Sequence, residues 1–488
     1  MRILWILQPQ VDGDIAVFAL MAKYIYELKE FPIYMWGAHY AGTLPSYLGA
    51  FLFAVFGVSF VSYKAVGVIY SCIWIYLTWL LVRNESYTSE SRFVALCVVL
   101  LPPLSILSMS VFVGGCYPET LIFITLLFLF LTKFNNQNFD VPPYYYAMFG
   151  FVSGFGFWVT PGVFPVLLTI LIVFFISDKK FFFKSLFLFF VSGFIIGFLP
   201  AIIYNIQYPG ASFFRMGGRI LNLDHNVLDS DNLTENVLKA ALWRISMIPK
   251  SLMNIPILFV QLTGWPTTIA FAISLIVVVR KQWSIFLKDV NLNSIFLSYI
   301  ICFVIFYTVL IGNQATRYVV PLYAAYPILV VGALSMLQCK LKNCFLILII
   351  VTLSFNIYNG VQAVASRKDN GLNVLKEYLL SQDIRYGFSD YHTAFTLIFD
   401  SKEKLLISPT LYHPTFDDRR PQYTHEVRNA REFAYILWGA QYPLSLQVIE
   451  EKFSQQRIHF KTIKIGEFTV YHALSRPIYP EELMLPKS

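Results

Sequence analysis

The stretch PQVDGDIAVFALMAKYIYELKEFPIYMWGAHYAGTLPSY, Pro9 to Tyr47, decides how the chain is read. It sets two aspartates, Asp12 and Asp14, ahead of a short amphipathic run and an aromatic- and Gly-rich loop, and a long series of apolar segments follows. A carboxylate beside hydrocarbon is costly unless it is paired or used, so these acids are the first candidates for chemistry. Val17, Leu20, Met21, Tyr24, Ile25 and Leu28 repeat with a helical period, while Lys23, Glu27 and Lys29 fall elsewhere. Ile15 to Leu28 is therefore expected as a helix lying on a membrane surface. Leu44 to Phe60 is apolar but broken by Pro45, Gly49 and Gly57, which favours a re-entrant or surface helix over a clean span.

Composition agrees with a membrane setting. Hydrophobic residues make up 57% of the chain and charged residues 14%, and the mean hydropathy is +0.60; these values exclude an ordinary soluble globular protein. The formal charge of +8 does not point to nucleic acid, because much of the Lys and Arg lies in short loops between apolar runs. The six cysteines are scattered without a Cys-x-x-Cys pair, so neither a disulfide framework nor a zinc site is implied. Ile3 to Leu7 is too short for the apolar core of a cleavable signal peptide.

Runs of about 20 mostly apolar residues mark membrane spans. They are expected near 60–82, 93–113, 119–133, 144–160, 161–177, 182–204, 254–280, 292–312, 317–337 and 343–359. Arg83 with Arg92, Lys133, Lys179 with Lys180 and Lys184, Arg280 with Lys281, and Lys340 with Lys342 fall in alternate loops, which places those loops in the cytoplasm. The opening stretch, the loop from about 205 to 253 and the region after about 360 then face outward. An outward opening loop is normally delivered by a preceding helix, so a first helix missing upstream is expected; a short tail carried across by the next helix is the alternative.

After Asn359 the composition changes. Helices are expected at Asn373–Ser381, Tyr391–Phe399 and Leu444–Gln455, and strands at Arg385–Ser389, Lys404–Ile407 and Glu432–Trp438. Two alternating runs flank Gly466 in IHFKTIKIGEFTVYHAL. The fold class is thus an all-α polytopic membrane bundle with a small C-terminal soluble α/β domain. Residues 1–359 form the membrane part, with an outward first loop at 9–59 and about ten spans in 60–359. Residues 360–488 form an extracytoplasmic domain of a size that can hold its own core.

Two outward segments carry candidate chemistry: the opening loop, and the turn Gly114-Gly-Cys-Tyr-Pro-Glu119-Thr, which sets another acid at the membrane face. A carboxylate there can take a proton from an attacking hydroxyl, or hold a metal that neutralises a phosphate leaving group. Asp12, Asp14 and Glu119 can equally serve as helix caps, since acids stabilise helix N-termini. Arg317, in TRYVVPLY, is suited to a phosphate through its forked guanidinium, or to anchoring a span. Arg215 and Arg219, in SFFRMGGRI, are a basic pair that could meet the same phosphate or stay solvated. His39 and Tyr40 are candidates for orienting an acceptor, with packing beside Tyr34 and Trp36 as the alternative. In the soluble domain, Asp390-Tyr391-His392 and Asp417-Asp418-Arg419-Arg420 stand out, but no histidine there has metal-ligand spacing. That domain is read as acceptor recognition or support rather than catalysis.

The order GD-x-A, surface helix, FPIYMWGAHYAGTL, an apolar run ending in FG, GGCYPETL, GFGFWVTP and RYVVPLY resembles the bacterial GT-C glycosyltransferases related to protein O-mannosyltransferases and aminoarabinose transferases. The resemblance covers most of the chain. It implies a helical membrane bundle with surface helices in the first outward loop, and a sugar supplied by a polyprenyl-phosphate donor. It also implies a first-loop aspartate that acts as base or positions the acceptor, matched here best by Asp14 and next by Asp12, with Glu119 at the second-loop acid position. Ile15 stands where many relatives carry a second acid, so the paired-acid form is absent and a divalent metal, though compatible with the chemistry, is not indicated.

The expected activity is transfer of a sugar to a lipid, glycan or protein acceptor on the outward face of the plasma (inner) membrane, with no nucleic-acid partner. Rival readings are a polysaccharide or lipid transporter, and an envelope polysaccharide polymerase or ligase. The spans lack the buried charges and paired halves of a translocation pathway, and an Asp14→Asn change separates the transferase from both rivals, since transfer should collapse while a transporter or an arginine-dependent ligase should tolerate it.

Overall fold

The computed structural model describes residues 1–7, 12–83, 87–137, 139–177, 185–212, 239, 241–243, 245–282, 292–311, 315–366, 370–412 and 418–483. Most of the chain is helical. Among the described residues five helices are long and apolar enough to cross a membrane: Phe60–Arg83, Tyr117–Asn136, Ile248–Gln282, the continuous run Leu292–Ile311, and Cys339–Ala365. The number rises to seven if each of two bent pairs is one span, Ser185–Gly197 with Leu199–Gln207 (55°) and Thr316–Tyr323 with Tyr326–Met336 (44°). Other expected spans are shorter helices. The apolar run at 93–113 divides into Ser89–Leu100 and Leu104–Met109 around Pro102 and Pro103, because a proline removes an amide donor and clashes with the preceding turn. Pro143–Val159 and Phe164–Ser177 are likewise separated at Pro161.

The opening loop folds into two layers. Helix Gly13–Tyr26 starts on Asp12, which has extended dihedrals and accepts from the Ile15 amide at 3.0 Å, a side-chain N-cap that satisfies one otherwise orphaned donor. A surface helix was expected here, yet Ala16 to Ala22 are fully buried. Helix Leu44–Phe56 covers one side, and helix Tyr391–Asp400 of the C-terminal region packs onto another. Between the first two, the Ser46 hydroxyl donates to the Phe18 carbonyl at 2.8 Å. On the polar side of the helix Lys23 is buried and forms an ion pair with the half-buried Glu403, while Glu27 and Lys29 just beyond the helix end stay exposed. The loop then turns through a small antiparallel hairpin, β1 (Tyr34–Met35) and β2 (Ala38–Gly42), about Gly37 at φ +64°.

The C-terminal region is a mixed five-stranded sheet made of β3 (Tyr386–Phe388), β4 (Leu406–Ser408), β5 (Ala434–Trp438), β6 (Lys461–Ile465) and β7 (Phe468–His472). The order is β4-β3-β5-β7-β6, with β4, β3 and β5 parallel and β7 and β6 antiparallel. Helices Tyr391–Asp400 and Pro421–Asn429 make the two crossovers that parallel strands require. One face packs Phe388, Tyr435, Leu437, Phe453 and Tyr471 into a core of its own. The other is continuous with the core of the helical part. Helix Tyr391–Asp400 begins just beyond the end of β3, and this brings Tyr391 and His392 against the first loop.

Candidate active site

The site is built around the turn Asp12-Gly13-Asp14. Asp12 is committed to its helix cap, while the Gly13 amide donates to His392 Nδ1 at 2.9 Å. Asp14 Oδ1 accepts from the Tyr391 hydroxyl at 2.7 Å, and its other oxygen has no hydrogen-bond partner among the described residues. Burial, and after it the charge of Asp14, push the Asp12 carboxyl up to about 6. The Ile15 amide and the neighbouring His392 oppose that shift without cancelling it.

The second loop meets this turn through its backbone. A Cβ on Gly114 would stand 2.8 Å from the Ile15 amide nitrogen and 3.1 Å from the Asp14 carbonyl carbon, so only glycine allows the approach. Cys116 then takes a left-handed conformation, φ +57°, and opens helix Tyr117–Asn136. Tyr117 is consequently within electrostatic reach of both Asp14 and Arg317. The Arg317 guanidinium lies 5.4 Å from the ring centre of Tyr318 and within reach of Tyr40. Arg317 is exposed. An acid and a forked cation are thus both within electrostatic reach of one phenol.

The remaining candidates are placed differently. Glu119 is 1% exposed, and both of its carboxylate oxygens lack a hydrogen-bond partner among the described residues. Tyr63, Tyr70 and Cys116 are within its electrostatic reach, but no charge interaction ties Glu119 to Asp14. The loops meet; these two carboxylates do not. His39 pairs with the Tyr204 hydroxyl, in an aromatic group with Tyr34 and Tyr208, rather than with Asp14. Trp36, expected beside His39, instead packs edge-on to Tyr24 and under Arg420. Arg215 and Arg219 lie outside the described residues. Among the described residues, no group of three or more His, Cys, Asp or Glu side chains could hold a metal ion.

Tyr117 was not singled out from the sequence, while Tyr391 and His392 stood out but their domain was read as acceptor recognition or support rather than catalysis. Tyr117 stands inside GGCYPET, one residue after the left-handed Cys116. Tyr391 and His392 follow Asp390, whose carboxylate caps their helix by accepting from the His392 and Thr393 amides at 3.0 and 3.1 Å.

The chain has the fold of ArnT and of the oligosaccharyltransferase AglB. It superposes on ArnT from Cupriavidus metallidurans bound to undecaprenyl phosphate with a TM-score of 0.66 at 10% identity, over 99% of this chain and 97% of that one. Against the apo state of the same protein the TM-score is 0.59 at 11% identity, over 96% and 95% of the two chains. The archaeal oligosaccharyltransferase AglB from Archaeoglobus fulgidus, in complex with an inhibitory peptide and a dolichol-phosphate, gives 0.50 at 12% identity, over 96% of this chain and 70% of that one. At such identities the likeness establishes the fold alone. No protein-family model and no curated protein matches the sequence.

Proposed function

We propose that the chain is a glycosyltransferase that moves a sugar from a polyprenyl-phosphate donor to an envelope acceptor on the outward face of the plasma membrane. The observation that carries this reading is the meeting of the two acid-bearing loops at Asp14, where Gly114 lies against the backbone of Asp14 and Ile15, in a chain that superposes on ArnT over almost its whole length. In it, the acceptor hydroxyl or amine gives its proton to Asp14 as it attacks the anomeric carbon. The bond from that carbon to the phosphate oxygen breaks, and polyprenyl phosphate leaves with the electron pair, so the anomeric centre inverts. Arg317 meets the charge that grows on the departing phosphate, where a bidentate cation is most effective. The undecaprenyl phosphate held by ArnT and the dolichol-phosphate held by AglB support a lipid-linked donor.

The test is to delete the gene and compare envelope glycans and lipids by mass spectrometry with and without a plasmid-borne copy. The expected result is one sugar modification lost and then restored. An unchanged profile from an expressed gene contradicts the reading.

A further inference from the structure

Tyr391 belongs to the C-terminal sheet region, 377 residues from the acid it touches. Three independent features fix it there. The Asp390 cap sets the first turn of its helix. Residue 13 is glycine, and a Cβ at that position would fall 2.4 Å from the Tyr391 ring, so the phenol has a seat only because that side chain is absent. Arg419, anchored by donating to the Gly37 carbonyl at 2.7 Å, places its guanidinium 5.7 Å from the Tyr391 ring centre. Burial, and then the Asp14 charge, push the phenol well above its ordinary range. The hydroxyl therefore keeps its proton and donates it.

We propose that Tyr391 is a positioning residue for Asp14: its hydroxyl occupies one carboxylate oxygen and sets the rotamer that leaves the other oxygen for the acceptor, so the C-terminal region completes the site. A single hydrogen bond to one oxygen orients a carboxylate while leaving lone pairs for proton transfer. The reason for joining the two parts of the chain at this turn is then geometric. The inference rests on the glycosyltransfer reading for its catalytic meaning, but the Tyr391 to Asp14 bond can be tested without it.

Tyr391→Phe keeps the ring over Gly13 and removes only the hydroxyl. In a strain lacking the gene and expressing the variant at the wild-type level, sugar incorporation is expected to fall about 10- to 100-fold, the effect of losing a hydrogen bond to a charged group. Purified full-length variant is expected to bind undecaprenyl phosphate, used as the probe, with unchanged affinity and to melt with the wild type. The infrared carboxylate bands that distinguish the wild type from Asp14→Asn are expected to shift in Tyr391→Phe. Full incorporation by Tyr391→Phe overturns the inference, because the ring alone would then suffice, and so do unmoved Asp14 bands. If the wild-type gene restores no sugar, the glycosyltransfer reading fails separately, and the Asp14 bands alone decide whether Tyr391 holds the acid.

Discussion

Gly114 and Ile15 lie backbone to backbone: a methyl group on Gly114 would stand 2.8 Å from the Ile15 amide nitrogen. This approach brings the second loop to the acid turn and puts Tyr117 within electrostatic reach of both Asp14 and Arg317. Gly114→Ala forces the two backbones apart, since no flexible side chain is available to yield. We expect a loss of about 1–3 kcal/mol of stability, as for other overpacked sites, together with a fall in sugar incorporation. Melting temperature and envelope mass spectrometry on the same variant check this; a variant that is unchanged in both would break the link between loop contact and site.

Asp12 and Asp14 separate by pH. The Asp12 carboxyl is pushed up to about 6 by burial and then by Asp14, so the folded protein binds this proton more tightly than the unfolded chain does. Its contribution to stability is fully present below about pH 4 and is lost as pH rises through about 6. Asn at position 12 keeps an oxygen for the Ile15 amide and carries no charge. Asp12→Asn is therefore expected to match the wild type near pH 4 and to exceed it by about 1–3 kcal/mol above pH 7, after allowance for solvent screening. Melting curves across that range measure it, and a difference that does not vary with pH counts against it.

The C-terminal region is fastened to the first loop by Glu403, which takes Lys23 together with the Tyr24 and Tyr423 hydroxyls at 2.8 and 2.7 Å. Burial works against the charge, but the hydrogen bonds from Lys23, Tyr423 and Tyr24 outweigh it and hold Glu403 below its ordinary range. Without Glu403, Lys23 keeps only the looser pairing with Glu27 at 3.5 Å, so Glu403→Ala is expected to cost about 2–3 kcal/mol. Lys23→Met combined with Glu403→Leu should recover most of that loss, because an apolar pair of similar volume avoids the desolvation of both charges. A double-mutant cycle gives the coupling; strictly additive losses would mean that the pair does not fasten the two parts.

Glu119 has no partner for either carboxylate oxygen among the described residues while being almost fully buried. An unpaired buried acid lowers stability. Glu119→Leu is accordingly expected to raise the melting temperature by a few degrees. If Glu119 serves the reaction, the same change lowers sugar incorporation, and the two effects run in opposite directions. A destabilised variant with full incorporation would mean that the acid is structural.

Much of the C-terminal region was legible because its signals are local. The alternation on either side of Gly466 became β6 and β7, and the helix expected at Leu444–Gln455 is Pro443–Gln455. The first-loop helix was legible in extent, but its burial was not. The partner of Lys23 lies 380 residues away, and an amphipathic period does not distinguish a membrane surface from a protein one. Asp14, Arg317 and Tyr40 were legible as residue types beside a predicted membrane face; the fold sets Asp14 and Arg317 within electrostatic reach of Tyr117, and Tyr40 within reach of Arg317. Tyr391 was not assigned to the acid because nothing near it in sequence indicates a contact with residue 14. His39 shows the converse, a polar residue in a matched motif whose partner, Tyr204, comes from a distant helix.

The most direct measurement is sugar incorporation by Asp14→Asn in a strain lacking the gene, at matched protein level, alongside undecaprenyl phosphate binding by the purified variant. Removal of a general base costs about 10²- to 10⁴-fold in rate. The account predicts incorporation below about 1% of wild type with lipid phosphate binding intact. Wild-type incorporation by Asp14→Asn would contradict it.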